Sequence, residues 1–137
     1  MASGATLDHD CVTKFEDLKL RASYKYIIFG PNAMGTSITV YKTSTDDDYD
    51  AFLADLPENS CRWAVYDFHY TTGSRDQKKK LFFFNWLPDD AKIKEKMWYS
   101  SSKDVLRRAL QGLSAEINAT ESSEVSYETI LHKATRQ

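Results

Sequence analysis

Lys80-Leu81-Phe82-Phe83-Phe84-Asn85-Trp86 is the stretch that decides the fold. Successive side chains of a strand point to opposite faces, so its continuous apolar run Leu81-Phe82-Phe83-Phe84 suits a central strand covered on both sides. Helices must therefore flank both faces of the sheet. Residues 62–70 precede it as a second strand. Further upstream, residues 24–29 and 36–43 read as a strand pair around the turn signal Gly30-Pro31-Asn32 and Gly35. A short strand over 115–119 follows the central one.

The helices are legible from apolar spacing. Leu7, Cys11, Phe15 and Leu18 follow a helical period over 7–18, with Asp8 as N-cap. Thr45-Asp46-Asp47-Asp48 starts a second helix, whose Tyr49, Phe52, Leu53 and Leu56 form one stripe before Pro57 stops it. The longest helix spans 91–110, with a kink expected at Ser100-Ser101-Ser102 and Gly112 as its C-cap. A last helix covers 126–135. The expected fold is an α/β sandwich: a mixed five-stranded sheet with helices on both faces, in one domain over 1–137 with 1–6 as a flexible N-terminal segment.

At 137 residues the chain is long enough to bury a real core. A net charge of −2 argues against a dedicated nucleic-acid binder, which is usually strongly basic. Charge is unevenly spread: 1–74 hold six Lys/Arg and eleven Asp/Glu, a net of −5, while 75–137 hold twelve and nine, a net of +3. Two cysteines, Cys11 and Cys61, are too few for a disulfide framework and read as reduced thiols. The start carries no signal-peptide pattern, and no apolar run is long enough to span a membrane. The expectation is a soluble, intracellular protein.

No constellation of catalytic residues stands out. The five glycines are scattered singly, and His9, His69 and His132 share no metal-ligand spacing with the cysteines. Asp46-Asp47-Asp48 is more economically a helix cap than a cation site. Cys61 and His69, eight residues apart on one strand, lie roughly 26 Å from each other, beyond nucleophile–base reach. The expectation is no enzyme, no metal and no cofactor. The basic clusters say more: Arg75 and Lys78-Lys79-Lys80, then Lys92, Lys94 and Lys96, then Lys103, Arg107 and Arg108, then Lys133 and Arg136. Solvation explains any one of them; together they suit an acidic protein surface or an anionic headgroup.

Four segments carry a family pattern: Phe15 through Leu20, Tyr49-Asp50-Ala51-Phe52-Leu53 through Leu56-Pro57-Glu58-Asn59, Tyr66-Asp67-Phe68, and Lys96-Met97-Trp98-Tyr99-Ser100-Ser101-Ser102-Lys103-Asp104 into Leu106-Arg107-Arg108-Ala109-Leu110. In these the chain resembles the ADF/cofilin family, nearly end to end. The resemblance implies a non-enzymatic monomer that binds actin monomers and filaments, severs filaments and depolymerises them, in the cytoplasm and cytoskeleton and in the nucleus with actin. It places a surface for monomer and filament on Ser3, Gly4, Lys94, Lys96, Met97, Lys103 and Arg107, with Ser3 also a regulatory phosphorylation site. It places a filament-specific surface on Lys78, Lys80, Lys133 and Arg136. Phosphatidylinositol bisphosphate is the competing ligand it implies at the basic surface. Two rival readings are a phosphoinositide-binding membrane-surface module and a coactosin-like filament binder without severing. Two residues depart from the pattern: His132 stands where a fungal-type relative carries an acid, and Trp98 replaces a smaller aliphatic residue.

Overall fold

The central apolar run lies in β5 (Gln77–Trp86), which pairs antiparallel along its full length with β4 (Arg62–Thr71). A computed structural model of the chain describes residues 4–136. Next to β4 comes β2 (Tyr26–Pro31), then β3 (Ser37–Ser44), both antiparallel. The fifth strand, β6 (Ala115–Ala119), pairs parallel with β5 on the other side. Parallel neighbours need a crossover, and α3 (Ile93–Ala109) supplies it.

The sheet has six strands rather than the five expected, in the order β1-β3-β2-β4-β5-β6. The addition is β1 (Thr6–Leu7), paired parallel with Ser37 and Ile38 of β3. A two-residue strand carries no periodicity, so nothing local announces it. Thr6, the last residue of the segment expected to be flexible, is held in the sheet and donates its N–H to the Thr36 carbonyl at 3.0 Å. Leu7 therefore belongs to the sheet, and α1 (His9–Arg21) begins after Asp8, whose side chain caps it.

Strand alternation sorts the core into two layers. Leu81 and Phe83 of β5 join Ile27, Phe29, Trp63 and Val65 beneath α1 and α3, which contribute Cys11, Phe15, Leu18, Tyr99 and Leu106. Phe82, Phe84 and Trp86 face the other way with Ile28, Tyr66 and Phe68, against α2 (Tyr49–Ala54) and α4 (Tyr127–Thr135). Asn85, the polar residue in the run, is buried and accepts from the Trp63 indole N–H at 3.1 Å. Among the three candidate aspartates it is Asp48 that caps α2, its side chain accepting from Asp50 N–H.

The serine run does not interrupt α3, which is α-helical from Ile93 to Ala109. Ser102 is fully buried, and the Ser101 hydroxyl donates to the Trp98 carbonyl at 3.2 Å. Packing of Tyr99 and Leu106 onto the sheet outweighs the weak helix propensity of serine. The helix closes at Leu110, and Gly112, with φ 95°, makes the turn just beyond. A 3₁₀ turn (Ser122–Val125), absent from the sequence reading, leads into α4, whose N-cap is Ser126.

Candidate actin-binding surface

Helix α3 presents its apolar side chains to two different places. Tyr99 and Leu106 are buried against the sheet, whereas Ile93 and Met97 are 74% and 65% exposed. One turn apart on the helix, these two sit on the same outer stripe. They line a shallow groove with Lys96, Asp104, Val105 and Arg108. Lys94 is exposed in the first turn. Lys96 is half-buried, and its ammonium donates to the Asp89 carbonyl at 2.9 Å, which holds it beside the start of the helix. An apolar ridge flanked by cations suits a partner with a hydrophobic cleft and acidic margins.

Lys103 and Arg107, one turn apart lower on α3, meet a residue that sequence reading did not single out. Glu116 of β6 accepts from Lys103 Nζ at 2.6 Å and from Arg107 Nε at 2.9 Å. Burial raises the Glu116 carboxyl pKa, but the hydrogen bonds and charges of Lys103 and Arg107 outweigh it and hold the group below its ordinary value. The Arg107 guanidinium also lies 5.6 Å from the centre of the Phe83 ring. These two cations are therefore ordered before any partner arrives.

Three of the four residues of the second predicted cluster come together beside Glu116. Lys80 of β5, Lys133 and Arg136 at the end of α4, and Glu116 itself line one groove with Ser114. Lys133 and Arg136 are exposed, but Lys80 is half-buried and donates to the Ala134 carbonyl at 3.0 Å. It thus satisfies the C-terminal end of α4 as well as adding charge. Lys78 is exposed near the hairpin end of β5, where Gly73 and the left-handed Arg75 (φ 68°) turn the chain back from β4. Ser3 lies outside the described residues; Gly4 is exposed just before β1.

The departures from the family pattern fall differently. His132 is exposed on α4. Trp98 is partly buried, with its ring 5.6 Å from Trp63 and 5.5 Å from Tyr99, and its indole N–H donates to the Gly35 carbonyl at 3.1 Å. Cys61 is buried just before β4, while His69 is exposed towards its far end and pairs with Asp67 at 3.1 Å. Among the described residues, no group of three His, Cys, Asp or Glu side chains is placed to hold a metal ion, and no helix is long and apolar enough to cross a membrane.

Residues 4–135 match the family model described as cofilin/tropomyosin-type actin-binding protein. The chain belongs to the ADF/cofilin family. It is 52% identical to the cofilin of Mycosarcoma maydis over 136 residues, 99% of this chain and 98% of that protein. The crystal structure of Streptomyces griseoflavus cofilin superposes with a TM-score of 0.92 at 53% identity, covering 97% of this chain and 98% of that one. Plasmodium berghei actin depolymerization factor 2 is more distant, 26% identical with a TM-score of 0.86, over 98% of this chain and 97% of its own.

Proposed function

We propose that this chain binds actin monomers and filaments, severs filaments and hastens their disassembly. The observation that carries the reading is the outward ridge of Ile93 and Met97 on α3, bordered by Lys96 and Arg108 with Lys94 exposed in the same first turn, in a member of an actin-binding family. An apolar side chain with an adaptable thioether enters a cleft, and the surrounding cations set orientation and approach. The ordered pair Lys103 and Arg107 extends this face. Lys78, Lys80, Lys133 and Arg136 form the filament contact, and the bound module bridges neighbouring subunits. Its preferred geometry stabilises an altered filament, whose boundaries with bare filament break. The action is mechanical, with no bond chemistry and no cofactor.

In this reading the chain works as a monomeric single domain over 1–137, in the cytoplasm and on the cytoskeleton, entering the nucleus with actin. Replacing Lys94 and Lys96 together by alanine is expected to cost about 2–5 kcal/mol of actin affinity for monomer and filament alike. Co-sedimentation with filaments and monomer titration, on a double variant shown by circular dichroism to be folded, make the measurement. Normal monomer binding by that variant would refute the assignment. Filament binding without fragmentation would instead favour a coactosin-like role.

The groove shared by Lys80, Lys133 and Arg136 supports a second activity, capture of a phosphatidylinositol bisphosphate headgroup in competition with actin. Flotation with vesicles containing or lacking that lipid tests it. Phosphorylation of Ser3 is the proposed off-switch, since phosphate adds roughly −1.5 to −2 charges to a segment that approaches an acidic partner. Ser3→Glu should lower actin affinity several-fold at unchanged Tm, with Ser3→Ala active; undiminished binding by Ser3→Glu would remove the switch.

A further inference from the structure

The segment starting at Gly4 and helix α3, the two parts of the proposed monomer-binding face, are tied together through an element assigned to neither. That element is the turn between β2 and β3. On one side Thr6 of β1 donates its backbone N–H to the Thr36 carbonyl at 3.0 Å. On the other, the Trp98 indole of α3 donates to the Gly35 carbonyl at 3.1 Å. The turn itself is closed by Asn32, whose Oδ1 accepts from Thr36 N–H at 2.8 Å and from Ser37 N–H at 3.1 Å. Gly35 adopts φ 70°, which a glycine takes without strain.

At the tip of this closed turn stands Met34, 82% exposed. An isolated exposed apolar side chain is ordinary on a protein surface. What distinguishes Met34 is its anchorage: the Trp98–Gly35 bond joins the residue after Met97 to the residue after Met34. Trp98 is itself locked by its ring contacts with Trp63 and Tyr99. The turn is therefore tied to helix α3 before docking, which reduces the ordering cost of a contact made there.

We propose that Met34 is a further contact of the monomer-binding face, inserting against actin beside Met97, and that Trp98 is the positioning residue that holds it there. The inference rests on the actin-binding reading above. A methionine on a loop anchored to the helix that carries this mixed apolar and cationic ridge supplies further adaptable apolar area.

The test is a titration of monomeric actin with the full chain and three variants, with Tm recorded for each. Met34→Ser is expected to weaken binding about tenfold at unchanged Tm, the share of a partly buried side chain. Trp98→Phe keeps a ring and removes the indole donor, and it is expected to weaken binding to a similar extent. The double variant should be no weaker than either single one, because both changes remove the same contact. If the unaltered chain does not bind actin, the functional reading itself falls. If it binds and Met34→Ser binds equally tightly, this inference is overturned and the reading stands. Additive losses in the double variant would overturn the positioning role of Trp98. Should Trp98→Phe lower the Tm, Met34→Ser decides alone, since Met34 contributes to neither core layer.

Discussion

Glu116 holds two cations of the proposed actin-binding face at once, and its own ionisation should be visible in stability. Its carboxyl pKa lies below the ordinary value of 4.5 because Lys103 and Arg107 favour the charged form against the opposing effect of burial. A depressed folded pKa gives a contribution that is fully present above the unfolded value and is lost as pH falls through the folded one. Glu116→Gln is therefore expected to cost on the order of 1 kcal/mol at pH 7, a modest figure for a pair only partly removed from water. The difference from the parent protein should shrink as the pH is lowered from about 4.5. Urea unfolding at neutral and acidic pH checks this; an equal deficit at both would mean that Glu116 contributes through packing alone. Nothing in the strand pattern around Glu116 distinguishes it from a solvated edge residue. Its partners lie 13 and 9 residues away on another element, so only the docking of α3 beside β6 reveals its role.

At the scale of elements, α3 and α4 show why a basic cluster divides into working parts. Lys80 ties β5 to the end of α4 through the Ala134 carbonyl, so Lys80→Ala changes structure and charge together. Lys78 and Arg136 are exposed and make the cleaner test of the proposed filament surface. Lys78→Ala with Arg136→Ala is expected to weaken filament co-sedimentation and severing several-fold while monomer affinity is retained. Equal loss of both activities would merge the two surfaces into one. The buried side of α3 answers to a different measurement. Leu106 is fully buried in the layer formed with α1. Leu106→Ala should cost about 2–5 kcal/mol of unfolding free energy, read from denaturant midpoints, because it opens a cavity beneath the helix.

Across the whole molecule, burial controls the thiols and charge controls approach. Cys11 and Cys61 are fully buried, and burial pushes both thiols up to about 12, with nearby acids adding to the effect. A chromogenic disulfide reagent at pH 8 is expected to find neither in the folded protein and both in denaturant. Rapid reaction in native buffer would show that one of the core layers opens. The charge asymmetry, net −5 over 1–74 against +3 over 75–137, becomes a surface property once α3, β5 and α4 gather their cations around β6. Electrostatic approach to an acidic partner is then screened by salt, so actin association should slow as ionic strength rises.

The continuous apolar run Leu81–Phe84 marked the central strand and the 3.6-residue apolar spacing marked the helices, because both patterns are local consequences of which side chains must be buried. The segments around Tyr66-Asp67-Phe68 and Lys96-Met97 likewise placed the chain in its family without coordinates. Docking settled which face of α3 is buried: Tyr99 and Leu106 lie against the sheet, while Ile93 and Met97, on another face of the same helix, stay outside. Tertiary structure alone added β1, whose partner Ser37 lies across α1 and β2, and turned Trp98 from a change of packing into a tie reaching Gly35, 63 residues away. It also split the basic residues into free cations and cations held by Glu116, Asp89 and Ala134. Such contacts arise between elements that the chain brings together only on folding, and no local repeat encodes them.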